Sequence, residues 1–143
     1  MVTVTDRAIY EIKHPCMSIT GRNYYGMSML QVENVTRNVS LVSKGRVAKN
    51  FWTRLRGLVG VKQLAAGDGL LIQPCNQIHC MFMSIPIDVI YIGSDQRVLA
   101  VDHNMRPWAI GRLVRGAKRV LELPAGTAAA TGTTVGDLLE ITF

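Results

Sequence analysis

The hydrophobic positions of this chain fall mostly into short runs with a period of two, the spacing of half-buried strands. Leu30, Val32 and Asn34 alternate with polar neighbours, and Val39, Leu41 and Val42 follow. Lys44-Gly45 offers a turn into Val47. Residues 70–72 and 87–92 read as buried strands and residues 78–83 as a strand, the last separated from 87–92 by Ser84-Ile85-Pro86. Gly93-Ser94-Asp95-Gln96 is a hairpin turn that returns into Val98, Leu99, Ala100 and Val101. Residues 120–123 and 138–141 complete the set. One stretch has the helical period instead. Asn50 is a good N-cap, Phe51, Leu55, Leu58 and Val59 share one face, and Gly57 and Gly60 mark the end. This predicts a main helix over about residues 51–59. Pro124-Ala125-Gly126 opens a short Ala-rich helix, about residues 125–131, that Gly132 can cap. The pattern as a whole predicts an α+β fold, a small compact domain dominated by antiparallel strands.

The length of 143 residues sets one domain, large enough to build a core without disulfide or metal staples. An apolar fraction of 48% with 18% charged residues excludes disordered and coiled-coil chains. Pro15, Gly21, Asn23 and Gly26 break every periodic pattern near the start, whereas Met27 and Met29 stand just before the first clean alternation. The expectation is a folded domain over residues 29–143, preceded by a loosely ordered extension of residues 1–28 or by translation from an upstream start. An extra edge hairpin is the alternative for that segment. Asp6, Arg7, Glu11 and Lys13 interrupt any signal-like apolar core, and no run reaches the roughly 18–20 apolar residues of a membrane span. The three cysteines, Cys16, Cys75 and Cys80, form no disulfide framework, so a reduced, cytoplasmic setting is expected.

Four blocks in order carry a family resemblance. They are Arg56-Gly57-Leu58-Val59-Gly60; Gly67-Asp68-Gly69-Leu70-Leu71; Ile78-His79 through Met83 into Pro86-Ile87-Asp88-Val89-Ile90; and Val120-Leu121-Glu122-Leu123-Pro124-Ala125-Gly126 with Gly132 and Gly136-Asp137 behind. The set resembles the prokaryotic domain-of-unknown-function family 192 over about residues 30 to 142. The resemblance implies a compact, antiparallel-rich α+β domain and no particular reaction. Many members carry Trp-Met where this chain has Phe82-Met83, so the chain is similar to a branch with Ile-His at that strand. Many members look exported, a property this sequence gives no sign of.

Chemistry-bearing residues concentrate in a few places. Cys75, His79 and Cys80 invite a zinc site, but on a strand His79 and Cys80 point to opposite faces. Cys75 and His79 would then stand about 13 Å apart at about 3.3 Å per residue, so no metal and no cofactor is expected. Asp88 and Glu122 each interrupt an apolar strand, and a buried carboxylate needs a partner. For Asp88 that partner is backbone N–H, an arginine, or His79 across the hairpin, a pairing that would orient the imidazole for proton transfer. Glu122 poses the same question. His79 cannot readily activate its neighbour Cys80, and no phosphate-binding glycine loop is present.

The net charge of +6 is uneven. Residues 37–62 hold seven Lys or Arg and no acid, and residues 106–119 hold five and no acid. Arg54, Arg56, Arg112 and Arg115 are the candidate basic surface, and Trp52 and Trp108 lie one in each segment. Three functions follow. The preferred one is a non-catalytic binding or accessory domain that presents a cleft near His79, Arg106 and Trp108 to a protein or small-molecule ligand. The second is a hydrolase or other acid–base enzyme using His79 with Asp88 or Glu122, which requires both groups to open into one pocket. The third is weak nucleic-acid binding by the two basic segments.

Overall fold

The computed structural model describes residues 29–143, so the expectations for residues 1–28 lie outside the described residues. Seven strands form one curled sheet: β1 (Leu30–Asn34), β2 (Val39–Ala48), β3 (Asp68–Ile72), β4 (Ile87–Gly93), β5 (Val98–Met105), β6 (Ala117–Pro124) and β7 (Leu139–Thr142). The spatial order is β5-β4-β6-β3-β2-β1-β7, and every pairing is antiparallel except β2 with β3. Two short helices accompany it, α1 (Phe51–Arg56) and α2 (Thr127–Thr131). The sheet curls until its ends meet. Leu139 N–H donates to Gln96 O at 3.0 Å and Val98 N–H to Asp137 O at 2.9 Å, so the strand edges near β5 and β7 are partly closed off.

Period-two alternation sorts the core into two layers. Leu71, Ile90, Ile92, Leu121 and Leu123 fill the inside of the curl with Leu30, Val32, Leu41 and Leu139. Leu70, Ile72, Val89, Tyr91 and Val120 point the other way and are covered by Leu58, Ile78, Cys80 and Met83. The central strand β4 is therefore buried along its whole length. Glu122 shares its parity with Val120, lies opposite Leu70 and Val89 on the neighbouring strands, and belongs to the second layer. Asp88 shares its parity with Ile90 and belongs to the first.

Three local expectations are corrected. Lys44-Gly45 is no turn, because β2 runs through it and passes from β1 to β3 as partner. Gly45 sits where a Cβ would stand 2.7 Å from both Leu30 Cδ2 and Val42 Cγ1. Gly45→Ala is expected to cost about 1–3 kcal/mol through overpacking, read as a lower urea midpoint. The main helix ends at Arg56 rather than near 59, since Gly57 turns the chain at a φ of 44°. Residues 78–83 form no strand. Their backbone pairs instead with the irregular segment after β5, through a single bridge, His79 to Ile110, and through Cys80 N–H to Ala109 O at 2.7 Å.

One polar knot fastens the closed end of the curl. Asp137 accepts from Asn34 Nδ2 at 2.9 Å, Arg37 Nε at 3.0 Å and Thr134 N–H at 3.0 Å. Burial works to raise this carboxyl, but the donors from Arg37, Asn34 and Thr134 outweigh it and bring it down to about 2.

Candidate functional site

A cleft of about 320 Å³ opens on the second core layer, between α1 and the segment that follows β3. Its construction begins at Asn50, whose side chain accepts from Thr53 N–H at 2.8 Å while the Thr53 hydroxyl takes the Asn50 N–H at 3.2 Å. This reciprocal cap fixes a helix that buries no residue of its own. Arg54 then reaches across and donates to Pro74 O at 2.8 Å, tying α1 to the opposite wall. The expected apolar face of the helix exists but is not sealed: Phe51 is 61% and Leu55 50% exposed, and both line the cleft. Leu58, Val59, Ile72, Ile78 and Met83 complete the apolar walls.

The polar groups converge on this space from three elements. Arg54 and Arg56 come from α1, Cys75, Asn76, Gln77 and His79 from the segment after β3, and Glu122 from β6. Glu122 is 3% exposed, and among the described residues no group hydrogen-bonds its Oε2. Leu70 and Val89 flank it on either side, so burial alone pushes its carboxyl up to about 8 and keeps it mostly protonated at neutral pH. Cys80 is buried beside it and is pushed up to about 11 by burial and by the negative charge of Glu122. Burial is also the main force raising the Cys75 thiol, whose Sγ donates to Gln77 O at 3.1 Å. Both are thiols, not thiolates, at neutral pH. Among the described residues, no three His, Cys, Asp or Glu side chains gather as metal ligands do.

Of the two carboxylates singled out in the sequence, one faces the cleft and one does not. Asp88 is fully buried, with Oδ1 accepting from Asn104 N–H at 2.8 Å and Oδ2 from Ala128 N–H at 2.8 Å. The first donor is presented by an irregularity in β5 next to Asn104, and the second lies in the first turn of α2, whose N-cap Gly126 has no side chain to offer. Asp88 thus holds two elements in place from the face opposite His79.

Arg106 and Trp108, expected at the cleft, are exposed and do not line it. Trp108, at a φ of 69°, packs on Phe82, at a φ of 62°, with ring centroids 4.8 Å apart. Trp108 N–H donates to Cys80 O at 2.8 Å, which pins the left-handed backbone that neither residue type prefers. Phe82 and Trp108 remain 64% and 59% exposed, and Ile110 and Leu113 are exposed as well. Arg112 belongs to a different, shallow concavity that also includes Asp102 and His103, and it is salt-bridged to Asp102. This second concavity shares no lining residue with the first. Arg54 and Arg56 therefore line a different concavity from Arg112, and Arg115 lines neither.

Sequence reasoning missed the cleft-facing role of Arg54 and the pairing of Phe82 with Trp108. The signal for the first was present in the helical periodicity, which placed Phe51 and Leu55 together without saying that their face stays open.

Comparison with known proteins extends along nearly the whole described chain. The family model DUF192, described as "Uncharacterized ACR", matches residues 32–141. A UPF0127 protein of Pyrococcus furiosus is 31% identical over 112 residues, covering 75% of this chain and 94% of the relative. Another, from Pyrococcus abyssi, is 40% identical over 113 residues, covering 75% and 93%. A solved structure from Sinorhizobium meliloti, of a protein described as a candidate transcription regulator, is similar with a TM-score of 0.69. It is 25% identical and covers 85% of this chain and 98% of that one.

Proposed function

The chain belongs to the DUF192 family, whose description assigns no activity, so function has to be read from the site, and we propose that the domain binds a small molecule in the cleft floored by Glu122. One observation carries this reading: Glu122 lines an open space with apolar walls, and its carboxyl is deeply buried, with Oε2 shielded from solvent and without a partner among the described residues. Burying a polar group without a partner is costly, and proteins retain such groups where something else satisfies them. Apolar walls with a few convergent polar groups are the usual make-up of small-ligand sites. The volume, about 320 Å³, falls at the lower end of that class.

A fragment screen followed by amide chemical shifts tests this. Bound fragments are expected to shift Gly57, Ile78 and His79 together. Fragments that gather only on the Phe82–Trp108 ridge would contradict the reading and return the preference to a protein-docking face.

A second reading is favoured by the shared cleft of His79 and Glu122. There a protonated Glu122 acts as acid and His79 as base on the same bound molecule. It differs from the first in requiring turnover that Glu122→Gln removes while binding persists. Nucleic-acid binding, which the name of the Sinorhizobium relative brings to mind, has less support in this chain, because Arg54 and Arg112 line separate concavities. Among the described residues no helix is long and apolar enough to cross a membrane.

A further inference from the structure

Resting on the cleft as a ligand site, we propose that its ligand is a short amphiphilic zwitterion, with an ammonium group at the deep end against Glu122 and an acid group at the mouth against Arg54 and Arg56. The two ends of the space differ in chemistry. At the floor stands the Glu122 carboxyl, between Leu70 and Val89, with its Oε2 shielded from solvent and lacking a donor among the described residues. At the mouth, α1 brings two guanidinium groups and no acid. Arg54 spends one nitrogen on Pro74 O, which leaves the rest of its planar fork for a carboxylate or phosphate.

The acid and the guanidinium groups are not paired with each other. Glu122 and Arg54 both act on the Cys75 thiol that lies in the same cleft, yet among the described residues no ion pair joins Glu122 to Arg54 or Arg56. The cleft thus contains an acid without its cation and a cation without its acid, apart from each other. A ligand with only an ammonium must pass Arg54 and Arg56 to reach the floor. One with only an acid leaves the floor unsatisfied. A zwitterion satisfies both, and the apolar walls of Phe51, Leu55 and Met83 suit a hydrocarbon spacer. A space of 320 Å³ holds about ten water-sized groups, which limits the spacer to a few methylenes.

Bringing an ammonium to Glu122 ionises it and releases a proton on binding. The other ionisable groups around the cleft are Arg54 and Arg56 on α1, Cys75 and His79 on the segment after β3, and Cys80 behind the wall.

The test titrates the full chain with 6-aminohexanoate, hexylamine and hexanoate, following the cleft amides. The zwitterion is expected to bind about tenfold more tightly than either single-headed probe, the effect of one added charge-assisted hydrogen bond. Glu122→Gln should bring its affinity down to that of hexanoate, and Arg54→Ala to that of hexylamine. The three-probe comparison on the unaltered chain needs no variant to fold. Equal binding of hexanoate and 6-aminohexanoate would overturn the deep ammonium, and equal binding of hexylamine would overturn the acid end; in both cases the cleft remains a ligand site. Absence of any shift with all three probes would overturn the proposed ligand class, and the fragment screen then decides separately whether the cleft binds anything.

Discussion

Glu122→Gln is expected to remove most of the loss of stability that the unaltered chain undergoes as pH rises from about 4.5 to about 8. The folded carboxyl holds its proton up to about 8, whereas the unfolded one releases it near the ordinary value of 4.5. Between those values the folded state binds more protons than the unfolded state, so stability falls with rising pH. The contribution is fully present below 4.5 and is lost as pH climbs through 8. At about 1.4 kcal/mol per pH unit, the whole span amounts to an upper bound of roughly 5 kcal/mol. The amide of Gln has nearly the same shape and never ionises. Urea unfolding of both proteins at pH 5 and pH 8 isolates the effect, because contributions common to both cancel. The variant should stand within about 1 kcal/mol of the parent at pH 5 and exceed it by several kcal/mol at pH 8. Parallel curves would show that Glu122 finds a partner after all.

Asp88→Ala is the largest structural loss expected elsewhere. Two backbone donors, Asn104 N–H and Ala128 N–H, both at 2.8 Å, would lose a buried anionic acceptor. Hydrogen bonds to charged groups contribute about 1.5–3 kcal/mol each, and burying the orphaned donors adds to the penalty, so a cost of about 3–5 kcal/mol is expected. Asp88→Asn retains one acceptor oxygen but turns an NH₂ toward the other donor, and should cost about half as much. Amide exchange gives the site-specific readout: Ala128 and Asn104 should lose protection in both variants. Unchanged stability with a change only in ligand binding would assign Asp88 to the site rather than to the scaffold.

These two carboxylates mark the limit of what the sequence reveals. Both interrupt apolar strands, and in both cases the alternation indicates that a partner is required. Nothing local distinguishes them, because the donors to Asp88 lie 16 and 40 residues away and are backbone groups without sequence identity. Glu122 differs only in lying on the other face of the sheet, under the cleft. The strands themselves were legible because alternation reports a sheet with two apolar faces: β1, β3, β4 and β6 stand close to where the pattern placed them. The segment 78–83 lacks a strand partner because its backbone bonds to loop residues 108–111 while Ile78, Cys80 and Met83 are buried in the core, and extended chain in that setting has the composition of a strand. Phe51 and Leu55 show the converse. Their period was right for a helix, but periodicity cannot tell a face that is sealed from one that borders a cleft. Gly45 gave a turn signal, whereas its real reason is the close approach of Leu30 and Val42.

The most direct test of the account is a titration of the Glu122 carboxyl carbon by ¹³C NMR, in the free protein and with 6-aminohexanoate present. The midpoint should stand near 8 in the free protein and move down by about one unit or more when the ammonium supplies the missing charge. A midpoint near 4.5 in the free protein, or one that the probe leaves in place, would contradict the claim that this buried acid waits for a ligand's cation.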